Sequence, residues 1–310
     1  MYLKNTFHGT VKTCALFVLF LLSVMLAAQA QPVKKKKAKL PPGNLSGALL
    51  ANAQYNFSSS ALQLNGATLS NPTSIQFGPD KRLYVSEQGG LIKVFTIVRN
   101  APNTYTVTAT ETISLINQLP NHNDDGSLNT AVTTRQITGI LVKGTASAPV
   151  MYVSSSDSRI GGPSGETNLD TNSGIVSVLT WNGTAWVKVD LVRGLPRSEE
   201  NHSVNGMQLD EQTNTLYLAV GGHTNAGSPS TNFDYTCEYA LSAAILSINL
   251  TAINAMATKG TGNTAYKYDL PTVDDPTRTN NPDGTDVNDP FGGNDGLNQA
   301  KIVAGGPVQI

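Results

Sequence analysis

Chemistry in this chain starts with a histidine. His202 lies in the polar run Leu195-Pro-Arg-Ser-Glu-Glu-Asn-His-Ser-Val-Asn-Gly206, just ahead of the alternating stretch Met207-Gln-Leu209. A neutral imidazole on a loop at the mouth of a sheet can accept a proton near neutral pH, which is the work of a general base. A surface histidine bonded to its own loop is the competing reading. Two other segments hold many oxygen ligands of the kind that hard cations prefer, Asn121-His-Asn-Asp-Asp-Gly126 and the Asn/Asp/Gly-rich residues 280–296. Counted from Asp286, the second places Phe291 and Leu297 where an EF-hand needs Gly and Glu. Both therefore read as turns, with a structural calcium in the second as the alternative, and His122 is not expected to be a ligand. Cys14 falls in an apolar leader. Cys237 is then left as a buried structural thiol, or as a pairing site for another chain or for a cysteine beyond Ile310.

The elements that must position His202 belong to a repeat. Leu83-Tyr84-Val85, Met151-Tyr152-Val153 and Leu216-Tyr217-Leu218 are spaced by 68 and then 65 residues, each closing a hairpin-like stretch. In the first unit Pro72–Phe77 runs into a Gly-Pro-Asp turn, and strands 83–86 and 91–97 follow. The second unit reads as four strands, 137–142, 150–154, 174–179 and 186–189, and the third as 204–209, 215–220 and 244–250. Four short strands returning at a long period predict an all-β fold, a β-propeller of four-stranded blades with roughly four blades in this chain. A β-sandwich is the alternative, but it needs no fixed long period.

Residues 1–30 read as a signal peptide: Lys4 and Lys12, the apolar run Ala15–Ala28, then the small-x-small site Ala28-Gln29-Ala30. The run is short for a membrane span, so a retained anchor is the lesser reading and no stable span is expected after cleavage. Residues 31–59 form a flexible Lys/Pro-rich leader containing Lys34–Lys37 and Lys39, and 60–310 the partial propeller domain, whose last residues read as a strand cut in mid-course. The protein is therefore expected to be exported, periplasmic or secreted, and C-terminally incomplete. Setting aside the seven lysines of both leaders leaves 14 basic against 22 acidic residues. Without a basic stripe interleaved with aromatics, nucleic acid is not an expected partner.

Three runs carry a family resemblance. Pro72-Thr-Ser-Ile-Gln-Phe-Gly-Pro-Asp-Lys-Arg-Leu-Tyr-Val-Ser-Glu-Gln88, Asn201-His-Ser-Val-Asn-Gly-Met-Gln-Leu209 with Leu216-Tyr-Leu-Ala-Val-Gly-Gly222, and Ala243-Ala-Ile-Leu-Ser-Ile-Asn249 resemble the glucose/sorbosone dehydrogenase family of soluble quinoproteins, over about residues 60–310. The resemblance implies a six-bladed propeller that binds pyrroloquinoline quinone (PQQ) and calcium at the channel mouth. It also implies oxidation of the C1 hydroxyl of an aldose or related polyol, with electrons passed to an external acceptor. His202 matches the family's base, and Gln136 falls near a sugar-contacting position. One departure stands out: the family's strand after the base ends in Gly-Asp, whose carboxylate orients the histidine, whereas this chain reads Gly221-Gly222-His223. His202 is thus expected to lack a second group that fixes its tautomer. The family's cofactor and metal holders are expected beyond Ile310, and Arg135, Arg159, Arg193 and Arg197 have no motif that groups them. A non-catalytic carbohydrate-binding or cell-surface propeller is the alternative function. A metal-dependent lactone or ester hydrolase would need inward Glu, Asp and Asn from several blades, a set the sequence does not show.

Overall fold

In a computed structural model of the chain, described for residues 58–123, 127–159, 172–197, 202–228, 238–272 and 299–310, the repeats become three antiparallel meanders. All of these residues belong to the compact unit Ser58–Ile310. The signal peptide, most of the Lys-rich leader, Cys237 and the acidic segment 280–296 lie outside the described residues.

The first sheet contains β1 (Leu62–Gln63), β2 (Pro72–Phe77), β3 (Leu83–Glu87), β4 (Ile92–Ala101) and β5 (Thr104–Ile113), in the order β1-β5-β4-β3-β2. A small hairpin, β6 (Asn121–His122) with β7 (Leu128–Asn129), occupies the first acidic loop. The second meander is β8 (Arg135–Gly144), β9 (Pro149–Asp157), β10 (Gly174–Trp181) and β11 (Trp186–Leu195). The third starts with β12 (Val204–Asp210), β13 (Thr215–Val220) and β14 (Ile245–Asn249). After the short helix α1 (Leu250–Ala255), β15 (Tyr266–Asp269) returns to run parallel to β11, and β16 (Val308–Gln309) completes the third sheet against β14. Asn249 starts α1 by accepting the Ala252 N–H at 2.9 Å, and Leu250 and Ile253 bury its inner face.

The repeated tripeptide has a clear packing meaning. Strand side chains alternate between faces, so Leu83, Met151 and Leu216 point to one side and the adjacent tyrosines to the other. Tyr84 packs between the first and second sheets, edge-on to Trp186 with centroids 6.3 Å apart. Tyr152 packs on the cluster between the second and third sheets. Tyr217, for which no further sheet follows among the described residues, is 41% exposed. The middle sheet is apolar on both faces: Ile140, Val142, Met151 and Val153 join the cluster toward the first sheet, and Leu141, Val176 and Val192 join the one toward the third.

The innermost strands of the three meanders are stitched side chain to backbone at a constant offset. The Gln76 Nε2 donates to the Val142 carbonyl at 3.0 Å while the Val142 N–H donates to Gln76 Oε1 at 2.8 Å. The Thr138 hydroxyl donates to the Val204 carbonyl, again 66 residues on. Consecutive meanders related by a repeat period, with β2, β8 and β12 adjacent, form the stacked arrangement that the repeats predict. The described residues hold three such sheets where about four were expected, and a six-bladed ring is not seen in them. Neighbouring strands of the third sheet lie far apart in sequence, with Val220 followed by Ile245 and Asn249 by Val308. Sequence reading also missed β5, because only Val107 and Ile113 of it are buried and its Thr-rich face stays exposed. Its β-forming composition and the left-handed Asn103 (φ 61°) at the preceding turn were the available signals.

Candidate functional site

His202 is set by two glycines from the end of the neighbouring strand. The Gly221 N–H donates to the Ser203 carbonyl at 2.9 Å, and the Gly221 carbonyl accepts from Ala243 N–H at 3.0 Å, so the strand end is held from both sides. A Cβ on Gly221 would stand 2.6 Å from His202 Cα and 2.8 Å from its carbonyl carbon, well inside van der Waals contact. Only glycine lets the two backbones meet here. One residue on, the Gly222 carbonyl oxygen lies 3.1 Å from His202 Nδ1. A carbonyl can only accept, so Nδ1 carries a proton, and in the neutral ring this is the tautomer that a base acting through Nε2 needs. The expectation that nothing fixes the His202 tautomer is corrected by this contact: a backbone carbonyl does it, and no sequence motif announces such a group.

The turn that follows contains a second histidine that sequence reading did not weigh. His223 is buried and stacks on Tyr239 with ring centroids 4.3 Å apart and planes 28° from parallel. Burial pushes its imidazole down to about 4; the Glu238 charge opposes this, while His202 and Arg197 reinforce it, so the ring is neutral at ordinary pH. Glu238 accepts the His223 N–H at 2.8 Å and the hydroxyls of Thr224 and Ser242. Partial burial would raise its carboxyl, but these donors outweigh it and hold it below the usual range.

Gln136 occupies the second position of β8, and 66 residues separate it from His202, the same offset that joins Thr138 to Val204. The two sequence-predicted site residues thus sit at the same end of adjacent inner strands. Gln136 is 4% exposed, and its Oε1 is buried with no hydrogen-bond partner. A buried acceptor in that condition suits a donor hydroxyl from a ligand or a water. The Ser155 and Ser156 hydroxyls on the adjoining strand share the same condition.

Three of the four arginines that no motif grouped are brought together by the fold. Arg135 donates to Asn121 Oδ1 at 3.0 Å and to the Ser173 carbonyl. Arg159 pairs with Asp157 at 2.7 Å and donates to the His122 carbonyl, and Arg197 donates to the Arg159 carbonyl. Burial would raise the Asp157 carboxyl, but the hydrogen bonds and charge of Arg159, with the charge of Arg135, hold it below the usual range. Arg193 stands apart, paired with Asp269 at 2.7 Å and lying 3.5 Å over the Tyr266 ring. Asp157 is the cross-strand partner of Arg135, a neighbour relation that appears only once the strand register is known.

Holders for the implied calcium and quinone are not identified among the described residues. Among the described residues no group of three or more His, Cys, Asp or Glu side chains could hold a metal ion. The three clustered arginines donate to protein oxygens, so that part of the expectation rests on the resemblance alone. A cavity of about 310 Å³ opens beside β10 and β11, with Leu119, His122, Arg193 and Asn263 in its wall. Neither His202 nor Gln136 lines it. No helix among the described residues is long and apolar enough to cross a membrane.

No protein-family model matches the chain, and no curated protein matches it. Among solved structures, the calcium structure of the Trichoderma reesei carbohydrate-active enzyme of family AA12 is similar over 65% of this chain and 39% of its own, at 14% identity and a TM-score of 0.34. A Thermus thermophilus protein described as an oxidoreductase (glucose dehydrogenase) is similar over 58% of this chain and 43% of its own, at 16% identity and a TM-score of 0.32. The chain thus spans about two fifths of the length of either. A likeness of this size leaves the function to be argued from the site.

Proposed function

We propose that this chain is an exported sugar or polyol dehydrogenase of the quinoprotein type, in which His202 takes the proton of the C1 hydroxyl and Gln136 contacts the sugar. The observation that carries the reading is the 3.1 Å contact between His202 Nδ1 and the Gly222 carbonyl, which favours the Nδ1–H tautomer that a base acting through Nε2 needs. Gln136 supports it, since a buried unpartnered amide oxygen at the matching position of the next inner strand would accept a hydrogen bond from a substrate hydroxyl. PQQ with calcium, the pair that the family resemblance implies, would supply the hydride acceptor when bound, and an external acceptor would reoxidise it.

The test is reconstitution of the full chain with PQQ and calcium, followed by dye reduction over a panel of aldoses and polyols, with His202→Ala and Gln136→Ala alongside. Turnover that requires the quinone and is lost in His202→Ala supports the reading. A folded protein that binds sugar, reduces no dye and is indifferent to the quinone would make it a carbohydrate-binding module instead.

A further inference from the structure

The peptide group between Gly222 and His223 has a hydrogen-bonding partner of opposite character at each end. Its carbonyl oxygen faces His202 Nδ1 at 3.1 Å, and its N–H donates to Glu238 Oε2 at 2.8 Å. A peptide group is planar and trans, so its C=O and N–H point in opposite directions and cannot be aimed independently. Fixing the N–H on a carboxylate therefore fixes the carbonyl on the imidazole. From this geometry we infer that Glu238 is a positioning residue for His202, acting through the 222–223 peptide as a carboxylate–peptide–imidazole relay. The inference rests on the reading of His202 as the base.

Three further features agree with it. Glu238 is itself anchored from both sides of the connection between β13 and β14, by the Thr224 hydroxyl next to one strand and the Ser242 hydroxyl next to the other. The residue as a whole is solvent-exposed, yet its carboxylate oxygens are committed to three donors in the connection between β13 and β14. Position 222 also makes room for it: a Cβ there would stand 2.8 Å from Glu238 Oε1 and 3.3 Å from Oε2. Glycine at 222 thus leaves space that a carboxylate from sixteen residues away fills. Hydrogen bonds in a chain polarise one another, so a negative charge on the N–H side strengthens the carbonyl as an acceptor for Nδ1–H.

The test uses the full-length protein and needs no turnover for its main readout. Nitrogen-15 NMR of the histidine rings reports which nitrogen of His202 bears the proton, with His202→Asn identifying its signals. In the unaltered protein the Nδ1–H form is expected to dominate. In Glu238→Ala the carbonyl loses its fixed aim, and the ring is expected to pass to the mixed tautomers of a solvated histidine; in Glu238→Gln, which can still accept the His223 N–H, Nδ1–H is expected to persist. If Glu238→Ala does not fold, Glu238→Asp, whose shorter arm cannot reach all three donors, replaces it with the same expected loss. Where the enzyme turns over, the alanine variant is expected to lose kcat by about tenfold or more while KM stays within about twofold, as for a group that acts only on the base. A folded alanine or aspartate variant that keeps the Nδ1–H signature overturns the relay. A wild-type protein that oxidises no sugar but loses that signature on Glu238→Ala would sink the dehydrogenase reading and leave the relay standing.

Discussion

Replacing Gly221 by alanine is expected to cost this protein both stability and the placement of its histidine. The new methyl carbon would sit 2.6 Å from His202 Cα and 2.8 Å from its carbonyl carbon, about 1 Å inside the optimal carbon–carbon separation. Both neighbours are backbone, and Gly221 is tied by its N–H to Ser203 and by its carbonyl to Ala243, so relief requires breaking a strand-end hydrogen bond. Overpacking of this kind costs roughly 1–3 kcal/mol, and a lost hydrogen bond adds about 1 kcal/mol. For a unit of this size each kcal/mol lowers Tm by about 2–4 °C, so a fall of roughly 5–15 °C is expected in thermal unfolding followed by circular dichroism. With His202 as the proposed base, a shift of about 1 Å would also reduce turnover by about a hundredfold. Gly206→Ala is the control, because there the methyl would meet nothing within 4 Å. It should melt closer to the wild type than Gly221→Ala does. A Gly221→Ala protein that melts within about 1 °C of the wild type would refute the close approach on which this reasoning rests.

Other consequences can be measured in the same preparations. Lys188 and Asp190 form a buried ion pair at 2.5 Å, with the Ser177 hydroxyl on the same carboxylate oxygen, so Asp190→Ala strands a buried ammonium and should destabilise by about 3–5 kcal/mol in urea unfolding. The double replacement Lys188→Met with Asp190→Leu should recover most of that loss; a double variant no more stable than the single would show that the pair is not the cause. Unfolded His223 takes up a proton near its ordinary 6.5, whereas the folded residue resists until about 4, so the unfolded state binds more protons between these values and stability falls as pH drops through that window. The loss reaches roughly 3 kcal/mol at the acid end, and His223→Phe should remove this component from the pH dependence of urea unfolding. An identical pH profile in that variant would contradict the buried neutral ring. With His202 as the proposed base, His202→Ala should leave the melting curve nearly unchanged while removing a factor of about 10²–10⁴ from any sugar oxidation the full chain carries out, since a general base contributes on that order.

Much of the architecture could be read from the residues because its cause is local. Alternation of apolar and polar side chains marks β2 and β12 directly, runs of aliphatic and aromatic residues mark β9 and β13, and the three Leu-Tyr-Val-like copies lie on β3, β9 and β13, the second strand of each meander. The two-faced packing of those copies follows from strand geometry alone, with one residue serving the sheet before and the tyrosine the sheet after. β5 escaped notice because half-exposed, Thr-rich strands bury too little to leave an apolar pattern. β15 escaped because it is short and joins its sheet only after a long excursion.

The site divides along the same line. Residue types and repeat position single out His202, because a histidine at a strand entry is a property of the chain itself. That Gln136 lies at the matching end of the adjacent strand depends on how β8 and β12 stack, and the clustering of Arg135, Arg159 and Arg197 depends on which strand ends meet. The sequence shows Gly222 only as a missing carboxylate. Folding brings the Gly222 carbonyl to the imidazole and the Glu238 carboxylate to the other side of the same peptide, and neither contact has a motif, because hydrogen bonds to backbone atoms are made by geometry and every residue has the backbone to make them.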